Sequence, residues 1–252
     1  RADDGRKNNH GDRNAIAGIT GDGGSRWIAC ARRAHGGTCR DGSGHANIED
    51  VARGMSYDER IGAKFLKAGI GYGGSCFPKD TKALKYLAEQ NGYKLKTIEA
   101  AVEINAEQRV RLLKKAGNRL ITFNGLKIAV LGLTFKGNTD DIREAPSLYN
   151  VSVLLASGAN VVAYDPAGIE KFRKVYPEGK IEKGSIKYVS DPLEALSDAN
   201  VCFIFTDWQQ IKDIEPAEYK KAMRTALVYD GRNIYDPEKM KAAGVEYHSI
   251  GR

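Results

Sequence analysis

The sequence predicts an α/β protein, a helical segment followed by a doubly wound parallel sheet. From Lys127 to the C-terminus, short apolar runs (KIAVLGL, NVVAYDP, IKYVS, VCFIFT, ALVYDGR, VEYHSI) alternate with helical or turn segments. That alternation is the pattern of parallel strands joined by crossover helices. Between Asn47 and Leu120 apolar residues recur instead at three- and four-residue steps, the period of one helical face. Up to Ala46 the chain is rich in Gly, Arg, Asp and His and holds no Leu, Val or Glu. Such a stretch offers too little apolar surface to offset its ordering entropy. Three regions follow: a head over 1–46, a helical central region over 47–122 and a Rossmann-like sheet domain over 123–252.

The head has Ile16, Ile19, Trp27 and Ile28 as its only bulk. It reads as a disordered tail, as an out-of-frame translation joined to a genuine frame, or as a Gly/Arg/His-rich nucleic-acid arm. Cys30 and Cys39, with His35 and His45 nearby, are spaced unlike any common zinc pattern, so no metal site is expected. NIEDVARGM should then form a short helix capped near Asn47, with Ile48, Val51 and Ala52 on one face. Glycines at 62, 69, 71, 73 and 74 make the following stretch a loop that turns tightly or lies against a ligand. Pro78 suits the first turn of a helix that runs through Thr81, Leu84 and Leu87 and stops at Asn91-Gly92. A long helical pattern from Lys94 to Leu120 carries Ile98, Val102, Asn105, Arg109, Leu112, Leu113 and Ala116. A helix of that length links two domains, forms a dimer seam or lies in a core.

After Asn124-Gly125 the strands begin, and SLYNVSVLLASG reads as an amphipathic helix stopped by Gly158. Right-handed crossovers put the loops after the strands' C-termini on one edge, where ligands bind. Those loops hold Phe135, Lys136, Asp140, Asp141, Arg143, Asp165, Asp207 and Arg232. KIAVLGL is followed by T-F-K-G-N, and the dinucleotide fingerprint G-x-G-x-x-G is expected to be missing from the ordered part. Something other than a dinucleotide pyrophosphate should therefore occupy this sheet edge, with Lys136 and Arg143 as anion contacts.

Composition narrows the function. The 252 residues are 42% apolar and 28% charged, which excludes a collagen, a disulfide miniprotein and a wholly disordered chain. No apolar run reaches the roughly 18 residues of a membrane span, and no apolar core follows the basic N-terminus as in a signal peptide. Thirty-nine basic and 32 acidic residues leave +7, a mild excess that suits phosphate-bearing substrates as well as nucleic acid. Four cysteines without CxxC pairing point to a reduced, cytoplasmic setting. Cys76 is the sharpest chemical candidate. It sits behind two glycines at a proline-started helix, with Lys79 nearby and Asp80 one turn on. A helix N-terminus and a cation both favour thiolate. The alternative is a small buried apolar residue, and Cys202 inside VCFIFT reads that way.

Two long motifs, FLKAGIGYGGSCFPKD and GLTFKGNTDDIREAPSLYNVSVLLASGANVVAYDP, resemble the nucleotide-sugar dehydrogenases, the UDP-glucose/GDP-mannose dehydrogenase family, and most closely its UDP-glucose 6-dehydrogenase branch. The resemblance runs from Asn47 to the C-terminus. It implies oxidation of C6 of UDP-glucose twice, to UDP-glucuronate, with NAD as cofactor and a homodimer built on the central helix. Carried over by motif, Cys76 is the nucleophile and Asp80 assists water and proton transfer. Phe65, Leu66, Lys67, Tyr72 and Gly73 would wrap the UDP-sugar. Arg60 would reach the substrate of a neighbouring subunit. Phe135, Lys136 and Arg232 would hold the substrate, and Arg143 would contact NAD. The family also carries an N-terminal NAD-binding domain, and a helix ahead of NIED supplies a lysine and an asparagine for the oxyanion. RWIACARRAHGGTCRDGSGH cannot form that helix, so the chain is expected to be the central and UDP-binding part of such an enzyme and inactive alone. The rival expectation is a non-catalytic UDP-sugar-binding or dimerisation module. No nucleic acid or membrane partner is implied.

Overall fold

The computed structural model describes residues 46–252; expectations for the head concern residues outside these. The described residues fall into two compact units, one holding the residues up to Phe65 with Gly251 and Arg252, the other running from Leu66 to Ile250.

The first unit contains helix α1 (Ile48–Ser56). Asn47 is its cap as the sequence suggests: the side-chain oxygen accepts from the Glu49 amide at 2.9 Å, satisfying one of the orphan first-turn donors. Glu49 and Asp50 in the first turn and Arg53 in the last complement the helix dipole. The Ile48 amide donates to the Gly251 carbonyl at 2.8 Å.

The second unit opens with helices α2 (Cys76–Gln90), α3 (Lys96–Arg109) and α4 (Arg111–Arg119). One continuous helix is expected from Lys94 to Leu120; the chain instead breaks at Val110 (φ −95°, ψ −4°). Packing explains the break. Leu112, Leu113 and Ala116 on α4 are buried in the core, whereas α3 buries only Asn105 and leaves Ile104 exposed. At the break the Arg109 carbonyl accepts from the Asn150 side-chain amide at 2.9 Å.

Strands and helices then alternate: β1 (Lys127–Leu131), α5 (Pro146–Ala156), β2 (Asn160–Tyr164), α6 (Ile169–Val175), β3 (Gly179–Ile181), β4 (Gly184–Val189), α7 (Pro192–Leu196), β5 (Val201–Ile204), α8 (Gln209–Lys212), α9 (Pro216–Ala222), β6 (Leu227–Asp230), α10 (Pro237–Ala242) and β7 (Glu246–His248). The sheet order is β3-β4-β2-β1-β5-β6-β7. All pairs are parallel except β3 with β4. Without β3 this is the 3-2-1-4-5-6 order of the Rossmann arrangement. The six strands read from sequence are all present. The three-residue β3 is an addition, an antiparallel edge strand reached through a tight turn with Glu182 at φ 53°.

Apolar clusters cover both faces of the sheet. Ile128, Val130, Val161, Phe203 and Tyr229 pack with Leu112, Leu154 and Phe172 on one face. Ala129, Leu131, Val162, Cys202 and Ile204 pack with Leu196, Ile211, Tyr219 and Met240 on the other. Two-sided burial is why these strands read as unbroken apolar runs. Each fully buried aliphatic contributes about 1.5–3 kcal/mol.

Candidate functional site

In this strand order the chain reverses direction between β1 and β5, and the loops following them frame a crevice. Gly132 sits where they meet. Its φ is 91°, and a Cβ there would lie 2.6 Å from the Thr206 amide nitrogen, so only glycine lets the two loops touch. Asp165, ending β2, is buried and collects the neighbouring donors. One carboxylate oxygen accepts from the Leu133 amide (2.6 Å), the Thr134 amide (3.1 Å) and the Trp208 indole (3.0 Å). The other accepts from the amides of Ala167 (2.9 Å) and Gly168 (2.6 Å).

Arg232, after β6, points back under the same edge. Its Nε donates to the Phe205 carbonyl and its Nη2 to the Phe135 carbonyl, each at 2.8 Å. Burial pulls its pKa down, against the opposing pull of Asp207 and Asp230. Two guanidinium nitrogens are thus spent on fixing loops, a role that sequence reading did not give this residue. At the mouth, Lys136, Gly137, Asn138, Asp207, Gln209 and Lys212 line a cleft of about 260 Å³. Burial pushes the Asp207 carboxyl up, but the charges of Lys212 and Arg232 together with its hydrogen bonds outweigh it and leave it below its ordinary range.

The glycine-rich loop before α2 is held from two sides. Ile70 is fully buried, and its amide donates to the Gly231 carbonyl at 3.1 Å. From α3, Gln108 donates to the Gly69 carbonyl at 2.7 Å. Asn105 accepts from the Tyr72 amide at 2.7 Å and donates to the Tyr72 carbonyl at 3.2 Å. Beyond Tyr72, the Gly74 amide donates to the Arg143 carbonyl at 2.7 Å. A Cβ on Gly73 would come within 2.5 Å of the Glu144 carbonyl, and one on Gly74 within 2.8 Å of the Phe135 ring. Gly69–Gly74 spells G-x-G-x-x-G, against the expectation that this spelling is missing. No strand precedes it among the described residues, so it is not a dinucleotide-binding turn; its glycines serve close packing on Asn105, Glu144 and Phe135.

Cys76 emerges from this turn as the first residue of α2, exposed, with the Ser75 hydroxyl 3.8 Å from its sulfur. The helix starts two residues ahead of Pro78, which lies in its first turn as the sequence suggests. Asp80 lies one helical turn on, exposed and paired with Lys79 at 3.1 Å. Asp141 holds the Arg143 guanidinium through bonds of 2.7–3.1 Å. A cleft of about 500 Å³ beside the turn is lined by Gly74, Ser75, Pro78, Lys79, Lys82, Arg143 and Glu144. Glu144 bridges Lys82 (3.2 Å) and Arg109 (3.3 Å); these contacts, the Lys82 bond first, draw its carboxyl below the ordinary range.

Within the second unit, the turn carrying Gly73 and Gly74 packs on Phe135 and on the Arg143–Glu144 backbone, and Arg232 holds the Phe135 carbonyl; Lys136, 5.4 Å from the centre of the Phe135 ring, lines the other cleft, and Asp80 follows Cys76 on α2. Leu66 is half-buried and Lys67 exposed. Arg60 and Phe65 belong to the first unit. There Arg60 forms a two-pronged pair with Asp58 (3.0 and 2.6 Å), and Phe65 is exposed. Sequence reading missed Asn105 and Gln108 as loop-holding residues, along with Lys82 and Glu144. A signal existed: two polar side chains three residues apart on one helix face.

Fold and site define a class: a Rossmann-ordered sheet whose switch-point crevice receives a glycine-rich, cysteine-bearing turn. Comparison with known proteins makes this particular. Profiles of the UDP-glucose/GDP-mannose dehydrogenase family match in two places, its central domain over residues 39–107 and its UDP binding domain over residues 129–237. The chain belongs to that family. It is 44% identical over 207 residues to UDP-glucose 6-dehydrogenase TuaD of Bacillus subtilis, covering 82% of this chain and 44% of the relative. It is 43% identical over 211 residues to UDP-glucose 6-dehydrogenase of Rhizobium meliloti, covering 82% and 46%. Among solved structures, a UDP-glucose dehydrogenase from Pyrobaculum islandicum superposes with a TM-score of 0.70 at 32% identity, over 82% of this chain and 44% of that one. A UDP-D-ManNAc dehydrogenase from Pyrococcus horikoshii gives 0.64 at 25%, over 90% and 47%. The chain spans less than half the length of the curated relatives it matches. Among the described residues, no helix is long and apolar enough to cross a membrane.

Proposed function

We propose that this chain carries the cysteine-bearing and UDP-binding parts of a UDP-glucose 6-dehydrogenase, which oxidises UDP-glucose to UDP-glucuronate. The observation that carries the reading is the Gly73-Gly74-Ser75-Cys76 turn seated on Phe135 and the Arg143 carbonyl, which sets an exposed thiol beside the sheet's ligand edge. Phe135, Lys136 and Arg232 hold the UDP-sugar from the sheet side. Leu66, Lys67, Tyr72 and Gly73 enclose it from the loop, with Phe65 and Arg60 as further contacts, Arg60 toward a neighbouring subunit's substrate.

Chemically, C6 first loses a hydride and its hydroxyl a proton, giving the aldehyde. The Cys76 sulfur adds to that carbon, forming the S–C6 bond, and the carbonyl oxygen takes a proton to give a thiohemiacetal. A second hydride leaves C6, the hydroxyl of the thiohemiacetal gives up its proton, and a thioester results. Water attacks, the C6–S bond breaks, and the carboxylate and free thiol are released. Asp80, one turn from the sulfur, handles the water's proton. NAD, when bound, would supply the hydride acceptor, one NAD+ for each of the two oxidations. Lys79, Lys82 and Arg143, each paired with a carboxylate, line the cleft beside Cys76 together with Glu144, and Arg143 is the contact we assign to a dinucleotide's phosphates. No strand–G-x-G-x-x-G–helix unit occurs among the described residues, so this chain alone is expected to form no NADH.

The reading divides the chain near residue 122 and includes a homodimer through the central helices. Exposed Phe77, Leu84, Tyr86 and Leu87 on α2 and Ile104 on α3 support that face. A cytoplasmic setting is in keeping with the free thiols of Cys76 and Cys202. Calorimetric titration tests the substrate: UDP-glucose should bind one to one, and GDP-mannose at least tenfold more weakly. Absence of UDP-glucose binding overturns the reading. NADH formation by the isolated chain overturns the expected inactivity alone.

A further inference from the structure

We propose that Asn105, on α3, is a positioning residue that sets the shape of the Gly71–Cys76 turn and thereby where the thiol stands against bound substrate. The proposal rests on the functional reading above for its substrate and on geometry for the rest. Asn105 is 6% exposed, the one buried residue of α3. Its two amide atoms take both backbone groups of Tyr72, accepting from the nitrogen at 2.7 Å and donating to the oxygen at 3.2 Å. A reciprocal pair of this kind fixes the peptide planes on both sides of one residue, as a strand partner would. The fit is close. Gly71, at φ 94°, would place a Cβ 2.5 Å from the Asn105 side-chain oxygen.

From Tyr72 the constraint continues in a short path. Gly73 packs on the Glu144 carbonyl and Gly74 donates to the Arg143 carbonyl. Two residues later comes Cys76. The same face of α3 also holds Glu144 through Arg109, and Glu144 in turn holds Lys82 on the cysteine's helix. The bonds of the Asn105 side chain go to Tyr72, four residues before the cysteine, so it acts through the turn. A side chain with one donor and one acceptor on adjacent atoms is required, and among residues of this size only asparagine supplies both at neutral pH.

Two substitutions separate this role from mere space-filling. Asn105→Leu keeps the number and branching of the side-chain heavy atoms, adds some bulk and removes both bonds. Asn105→Asp keeps volume and acceptor, and regains the donor only when the carboxyl is protonated. Amide exchange read at Gly73 and Gly74 should quicken about tenfold in Asn105→Leu, with the Ile204 amide of β5 unchanged. In Asn105→Asp the same amides, corrected for intrinsic exchange, should be loose at pH 8 and regain protection at pH 5. UDP-glucose affinity should follow, about tenfold weaker at pH 8 and within threefold of wild type at pH 5, while the wild type varies less than twofold. Unchanged Gly73 and Gly74 exchange in Asn105→Leu overturns the proposal. So does an Asn105→Asp protein identical to wild type at both pH values, because volume alone would then suffice. If Asn105→Leu does not fold, the Asn105→Asp exchange at the two pH values decides. If the wild type binds no UDP-glucose, the substrate reading falls and the amide exchange still decides the role of Asn105.

Discussion

Asp165→Asn changes one atom and should nonetheless be severe. Asp165 lies at the end of β2, 2% exposed, and accepts only from donors. Its Oδ2 serves Leu133, Thr134 and Trp208, and its Oδ1 serves Ala167 and Gly168. An asparagine must turn its NH2 toward one of these sets. The less costly orientation faces the Ala167 and Gly168 amides, leaving two N–H groups without an acceptor and set against another donor. At about 1–3 kcal/mol per unsatisfied buried group, the loss is about 2–6 kcal/mol. With a urea m-value near 2 kcal/mol/M, the midpoint should fall by about 1–3 M. Urea unfolding followed by far-UV circular dichroism measures this; Trp208 fluorescence is a poor probe because its indole donates to the substituted group. UDP-glucose affinity should fall as well, because Leu133 and Thr134 begin the loop that carries Phe135 and Lys136. A midpoint within about 0.2 M of wild type would refute the donor-only account of this carboxylate.

Three further outcomes follow from the same geometry. Gly132→Ala drives a methyl to 2.4 Å from the Thr206 Cβ at a φ of 91°, so it should lose at least about 2 kcal/mol in chemical denaturation. Native alkylation at pH 8, resolved by peptide, should label exposed Cys76 and spare Cys202, which is fully buried and whose thiol is pushed well up by that burial; Cys202 should label only after denaturation. Glu144 has its folded pKa depressed, chiefly by Lys82, so its contribution exists above its unfolded pKa and is lost as pH falls through the folded one. Because the carboxylate is 39% exposed, solvent screening holds that contribution to about 0.5–1 kcal/mol. Glu144→Gln should therefore be less stable than wild type at pH 7, with the gap closing below about pH 4.

Much of this was legible in the sequence. Asn47 announces α1, and the six apolar runs announce six strands because each is buried on both faces. The cysteine turn declares itself by its glycines. Short-range pattern did not reveal β3, whose three residues form a strand only by pairing with β4. It carried apolar periodicity straight through Val110, where the chain turns so that α4 can pack on the sheet. The letters G-x-G-x-x-G at Gly69–Gly74 acquire their meaning from the irregular chain, not a strand, that leads into them among the described residues.

The sequence by itself determined the alternation of elements, the strand-edge loops and the family-defining turn around Cys76, because those depend on residues adjacent along the chain. Only the tertiary structure decided that Asn105 grips Tyr72 from 33 residues away, that Arg232 spends its guanidinium on the Phe135 carbonyl across 97, and that Asp165 gathers the loops after β1, β2 and β5. Hydrogen bonds of that separation form where packing brings two backbones together, and no local period encodes which ones meet.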